Sequence, residues 1–180
     1  MQVAEAQREV RTIFWNGAIG SLVSGAIWLL SAALASANNR RLGVLVLVIG
    51  GAFIFPVTRL VFALLRRPSS LSPDNPFTGL AMQTAFIVPL LLPLVGGAAL
   101  RNPSWFYPGV MMVVGAHYLP FISLYGLWHY AVIAVALLGG GIMIAMQMPN
   151  EFALGGWLAG AALVLFGLWL FSVKEPRAAS

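Results

Sequence analysis

Asn38-Asn39-Arg40-Arg41-Leu42-Gly43-Val44-Leu45-Val46-Leu47-Val48-Ile49-Gly50-Gly51-Ala52-Phe53-Ile54-Phe55-Pro56-Val57-Thr58-Arg59-Leu60-Val61-Phe62-Ala63-Leu64-Leu65-Arg66-Arg67-Pro68 is the stretch that decides how this chain is read. Between the two arginine doublets the only charge is Arg59. A helix over 42–65 is about 36 Å long at 1.5 Å per residue. That length crosses a hydrocarbon layer of about 30 Å. Lipid, not water, is the solvent that such a segment fits.

The same pattern of apolar block and polar break recurs in both directions. Apolar spans are expected at about 12–37, 42–65, 77–100, 105–124, 128–146 and 152–173. Breaks fall at Arg66-Arg67-Pro68, in the Pro/Ser-rich stretch Pro68–Pro76, at Arg101-Asn102-Pro103 and at Gln147-Met148-Pro149-Asn150-Glu151. Only the Tyr125-Gly126-Leu127 link lacks a charge or proline. Of the 180 residues 60% are apolar and 8% charged, with a mean hydropathy of +0.90. A soluble domain carries charge at about a quarter of its positions. Six spans use nearly the whole chain, so residues 1–180 are read as a single all-α domain, a polytopic bundle of transmembrane helices. Residues 1–11 are polar, with Glu5, Arg8 and Glu9 at helical spacing. Ala35-Ser36-Ala37 has the look of a signal cleavage site. The apolar run before it exceeds a signal-peptide core of about 7–15 residues, so span one is read as retained.

A net charge of +5 and a pI near 10.5 would point to nucleic acid in a soluble protein. Here the basic residues sit at span ends, where they orient helices and meet anionic headgroups. Nucleic acid is therefore not an expected partner and the lipid bilayer is. An even number of spans puts both termini on one face. That face holds Arg8, Arg11, Arg66, Arg67, Lys174 and Arg177, against Arg40, Arg41 and Arg101 on the other. The asymmetry places both termini in the cytoplasm, with the protein in the inner (plasma) membrane of a bacterium. The Arg40-Arg41 doublet runs against it. Trp15, Trp105, Trp128, Trp157 and Trp169, with Tyr107 and Tyr130, fall near span ends and read as an interfacial belt. Trp28 is the exception, nearer mid-span.

Small residues let helix backbones approach closely in lipid. Gly17, Ser21 and Gly25 are expected on one face of span one, and Gly156 and Gly160 on one face of span six. Packing inside the bundle is the plainer use of these faces, and a dimer contact the sharper one. Gly139-Gly140-Gly141 offers either close packing or a flexible point. A unit this small is expected to work with a second copy or a partner membrane subunit.

Arg59 lies about six residues inside span two, roughly 9 Å deep. The acids Glu5, Glu9, Asp74, Glu151 and Glu175 all lie outside the spans. Arg59 is thus expected to pair with Glu9 or Asp74 at the rim, to reach a lipid phosphate, or to bind an anionic substrate. Pro56 is expected to bend the helix beside it. Pro89 and Pro93 in span three and Pro120 in span four each remove a backbone donor. Lipid tolerates the freed carbonyls where neighbours or water compensate, and transporters build midplane sites this way. Gln83, Thr84, His117 and Tyr118 would line such a cavity. His117 as a neutral imidazole bonded to a carbonyl or Tyr is the plainer reading.

Several chemistries are argued away. Without cysteine there is no disulfide, thiolate ligand or cysteine nucleophile. The span interiors hold no Asp, Glu or Lys, which removes carboxylate proton relays, sodium cages and a Schiff-base lysine. His117 and His129 differ in depth by roughly 7 Å, which disfavours bis-histidine haem. Neither a metal nor another cofactor is expected. Ser24-Gly25 is similar to the nucleophile pair of rhomboid proteases, but Leu22 stands where glycine is needed. There is no H-E-x-x-H, Walker loop or G-x-S-x-G. Enzymatic activity is not the expectation.

A three-plus-three inverted repeat finds only a loose echo. Phe14-Trp15-Asn16-Gly17 with Gly25-Ala26 resembles Phe106-Tyr107-Pro108-Gly109 with Gly115-Ala116, and needs a gap. On Gly17–Trp28 and on Gly115-Ala116-His117-Tyr118-Leu119-Pro120-Phe121, the chain resembles a family of uncharacterised six-pass bacterial membrane proteins of about this length. The resemblance implies six spans and marks His117 as a residue to test, and it brings no activity. The functional expectation is a small transporter or substrate-binding membrane subunit. The alternative is a structural or accessory membrane protein without cargo.

Overall fold

The computed structural model describes residues 1–148 and 150–173. Pro149 in the expected turn, and the tail charges Lys174, Glu175 and Arg177, lie outside the described residues. The described residues form helices α1 (Val3–Phe14), α2 (Ala18–Ser36), α3 (Arg40–Leu64), α4 (Phe77–Arg101), α5 (Phe106–Tyr125), α6 (His129–Gln147) and α7 (Leu154–Ser172), with 3-10 turns at Trp15–Gly17 and Pro103–Trp105. The fold is all-helical. Among the described residues six helical segments are long and apolar enough to cross a membrane.

The first crossing differs from a continuous span begun at Thr12. Trp15 (φ 48°), Asn16 (φ 55°) and Gly17 (φ 84°) are all left-handed, which ends α1 and restarts the chain as α2. A bulky residue such as Trp15 rarely adopts that conformation, so the surroundings must hold it. They do so from three sides. Tyr130 Oη donates to Asn16 O at 2.6 Å. Asn16 Nδ2 donates to Leu170 O (3.1 Å), which also accepts from Val173 N, and to Val173 O (3.0 Å), tying the break to the end of α7. Trp15 packs edge-on against Phe62 and Phe171, and Arg67 lies over its ring.

Gly17 therefore does not share a packing face with Ser21 and Gly25. It belongs to the break, where a Cβ would collide with Tyr130 Oη. Ser21 and Gly25 do lie against α7, as Gly160 lies against α2. Ser21 Oγ donates to Leu163 O at 2.9 Å. A Cβ on Gly25 would come within 2.9 Å of Val164 N and 3.0 Å of Gly160 O, and one on Gly160 within 3.0 Å of Leu29 N. Gly156 faces Ala32 and the Tyr107 ring. These small residues serve contacts within the chain.

The most extensive helix pairs are α2 with α7, α2 with α3, α5 with α6, and α4 with α5. Exchanging the first three crossings with the last three maps this set onto itself. The sequence echo does not follow that exchange. Phe14–Gly17 spans a break while Phe106–Gly109 opens a regular helix. Gly25 meets α7, whereas Gly115 meets Leu138 and Ala134 of α6, which is not the equivalent helix. In α3 and α4 11% of the apolar stretch is buried, against 33–44% in the other crossings, so these two flank the bundle with most of their surface exposed.

Candidate functional site

His117 comes from the middle of α5, where α4 packs alongside. Its Nδ1 donates to Thr84 O of α4 at 2.9 Å. A carbonyl can only accept, so the Nδ1 atom carries the hydrogen. Thr84 is buried and turns its own Oγ1 back to Leu80 O at 2.7 Å. The bond lies one residue before Ala85, whose carbonyl Pro89 leaves without its helical donor. The imidazole also faces the Phe121 ring at 5.0 Å and Tyr118 at 5.7 Å.

Tyr118 opens an aromatic cluster at the bundle centre. Its ring stacks on Tyr130 (5.8 Å) and meets Phe166 edge-on (6.1 Å). Tyr130 stacks on Tyr125 at 4.9 Å. Of these hydroxyls, that of Tyr130 donates to Asn16 O. Toward the other membrane face Tyr107 Oη bonds Ser31 Oγ at 2.6 Å, and Ser31 donates to Gly43 O at 2.7 Å. Tyr107 and Tyr130 are 0% and 1% exposed, so they are core residues and not part of an interfacial belt. Trp105, Trp128, Trp157 and Trp169 are exposed, as a belt requires. Trp28 is buried against Tyr107.

Arg59 and Gln83 do not join this interior. Both side chains are exposed on the outer faces of α3 and α4. Arg59 lies near the Phe55 ring in an open groove with Pro56, Leu60, Ala63 and Ser69. A second open groove is lined by Arg11, Thr12, Trp15, Asn16, Arg67, Leu170 and Phe171. Gln83, Thr84, His117 and Tyr118 line neither groove. Of the residues expected around one cavity, Thr84, His117 and Tyr118 come together, and they do so by direct packing. The two imidazoles are apart in environment: His129 contacts Trp128 (4.4 Å) and Trp169 (4.6 Å). No group of three or more His, Asp or Glu side chains able to hold a metal occurs among the described residues.

A polar cluster that the sequence did not reveal closes the membrane face on which α1 lies. Glu9 accepts from Ser72 N (2.6 Å), Ser72 Oγ (3.0 Å) and Asn75 Nδ2 (2.8 Å). These bonds, the one from Ser72 N foremost, hold its carboxyl below the usual carboxylate range. Asn75 Nδ2 also reaches Ala6 O. From the other side of α1, Gln7 Nε2 donates to Ser123 O (2.7 Å) and Arg11 Nη1 to Tyr125 O (2.6 Å). A cation at the end of α5 also suits that helix's dipole. Glu9 is thus engaged by the 65–76 loop, and the expected pairing with Arg59 is replaced by Ser72 and Asn75. The partners stand more than 60 residues apart in sequence. The one local signal was Asn75-Pro76, a turn opener whose Oδ1 accepts from Phe77 N.

Six apolar crossings around an aromatic centre, with an amphipathic helix tied across one end, define a multi-pass membrane protein. Residues 3–173 match the pattern of a family described as a family of unknown function (DUF7010), and the chain belongs to that family. No curated protein and no solved structure matches the chain.

Proposed function

We propose that this chain is a structural or accessory membrane protein that moves no cargo of its own. We further place it in the inner membrane of a bacterium with both termini cytoplasmic. The observation that carries the first reading is the divergence of the polar residues. Arg59 and Gln83 point outward, while Thr84, His117 and Tyr118 are bonded or stacked against neighbours inside the bundle. A transport path needs polar groups that converge on water. The orientation rests on the arginine asymmetry of the two faces. A second reading, a small transporter, draws support from the helix pairing, which has the three-plus-three exchange found in inverted-repeat transporters.

One experiment addresses these points because the chain has no cysteine of its own. Single cysteines at positions 84, 117 and 118 are exposed in intact cells to a membrane-impermeant thiol reagent, with positions 2, 39, 74 and 102 as markers. The accessory reading expects no labelling at the three interior sites from either face. Labelling at Asn39 and Asn102, and at Gln2 and Asp74 only after cells are opened, is expected for cytoplasmic termini. Reaction at His117 or Tyr118 in the folded protein overturns the accessory reading in favour of a water-filled path. The reverse marker pattern overturns the orientation.

A further inference from the structure

We infer that the groove beside Arg59 is a binding site for the phosphate of an anionic membrane phospholipid. Arg59 is permanently charged and sits on the lipid-facing side of α3, about 7.5 Å inside the helix end at Leu64. Its guanidinium lies 5.8 Å from the Phe55 ring, and among the described residues no carboxylate or other acceptor bonds it. Glu9 is occupied by Ser72 and Asn75. A cation held at that depth requires an anion, and a lipid phosphate is the anion that every bilayer supplies there.

The groove has the parts such a ligand needs. It has a volume of about 470 Å³ and is lined by Phe55, Pro56, Leu60 and Ala63 along α3, with Ser69 beyond the helix end. The guanidinium offers paired donors to phosphate oxygens. Ser69 supplies a hydroxyl on the headgroup side, and the apolar wall runs toward the hydrocarbon where acyl chains lie. Among the described residues no acid lines the groove, and Arg66 and Arg67 follow at the end of α3. A headgroup bearing its own cation, as in phosphatidylcholine, would meet uncompensated positive charge there. Phosphatidylglycerol would not. This site stands whether or not the protein carries cargo.

Native mass spectrometry of the full chain in detergent tests it, with titrations of phosphatidylglycerol and phosphatidylcholine against wild type, Arg59→Gln and Arg59→Lys. The expected result is a retained phosphatidylglycerol adduct, about fivefold weaker in Arg59→Gln and closer to wild type in Arg59→Lys. Phosphatidylcholine adducts should be equal in all three proteins. Because Arg59 is exposed, the substitution is not expected to disturb folding, and unchanged thermal melting checks this. Equal phosphatidylglycerol retention in wild type and a folded Arg59→Gln overturns the site. In a separate arm, inorganic phosphate added to wild type is expected to leave the adduct in place. Its displacement by millimolar phosphate would show a site for free phosphate and overturn the lipid assignment.

Discussion

Asn16→Ala tests what holds the break that begins the first crossing. The substitution removes the donors to Leu170 O and Val173 O. Each such bond contributes about 0.6–1 kcal/mol in a membrane protein, so their loss costs about 1–2 kcal/mol. Alanine must also hold φ near 55°, a left-handed conformation that costs about 1 kcal/mol more than for asparagine. The expected total is about 2–3 kcal/mol. Asn16→Gly loses the same bonds without the conformational strain, so it should fall about 1 kcal/mol short of alanine. Tyr130→Phe removes the donor to Asn16 O and should cost about 1–2 kcal/mol by itself. Both substitutions loosen one bend, so the double variant should lose measurably less than the sum. Reversible unfolding in mixed micelles of mild detergent and dodecyl sulfate gives these free energies. Strict additivity, or an Asn16→Ala protein within about 0.5 kcal/mol of wild type, would refute the claim that this contact fixes where α2 begins.

Gly25→Ala should cost about 1–3 kcal/mol in the same assay, because its Cβ would meet the α7 backbone at 2.9–3.0 Å. Gly97→Ala, with open space around its Cβ, should be neutral or stabilising by up to about 1 kcal/mol, and equal effects at both positions would sink the packing argument. The Glu9 cluster carries a pH dependence whose sign follows from its depressed carboxyl. Its stabilisation is present above the ordinary carboxylate value of 4.5 and is lost as pH falls through the lower folded value. Glu9→Gln should therefore lower the melting temperature at neutral pH and match wild type in strong acid. A constant difference between the two proteins down the whole pH series would contradict it.

The crossings were legible because each is a property of a contiguous segment. About 20 apolar residues between polar breaks report their solvent whatever they pack against. The close contacts of Gly25, Gly156 and Gly160 were legible for a related reason, since small residues at helical spacing mark a face. The sequence could not tell which helix that face meets, nor that Gly17 leaves the series for a bend. Asn16-Gly17 is a local signal for left-handed backbone, but nothing local extends it to Trp15 or marks a break inside an apolar span. That conformation depends on Tyr130 and on the end of α7, far along the chain. Tyr107 and Tyr130 were misread for the same reason. A tyrosine near a span end looks like a headgroup anchor until Ser31 or Asn16 is found beside its hydroxyl.

The candidate polar residues divide along the same line. His117 was marked in sequence as an imidazole in need of an acceptor, and Thr84 O answers that need through the α4–α5 contact. Gln83, Thr84, His117 and Tyr118 were grouped as polar residues of the two proline-broken spans, because position along a helix is what a linear sequence reports. Rotation about the helix axis set Arg59 and Gln83 outward and His117 toward its neighbours. The amino-acid sequence by itself determined solvent, crossing number and helix class, since hydrophobic length is additive along a segment. Only the tertiary structure decided which side of each helix is inside, because that depends on the simultaneous packing of all the others.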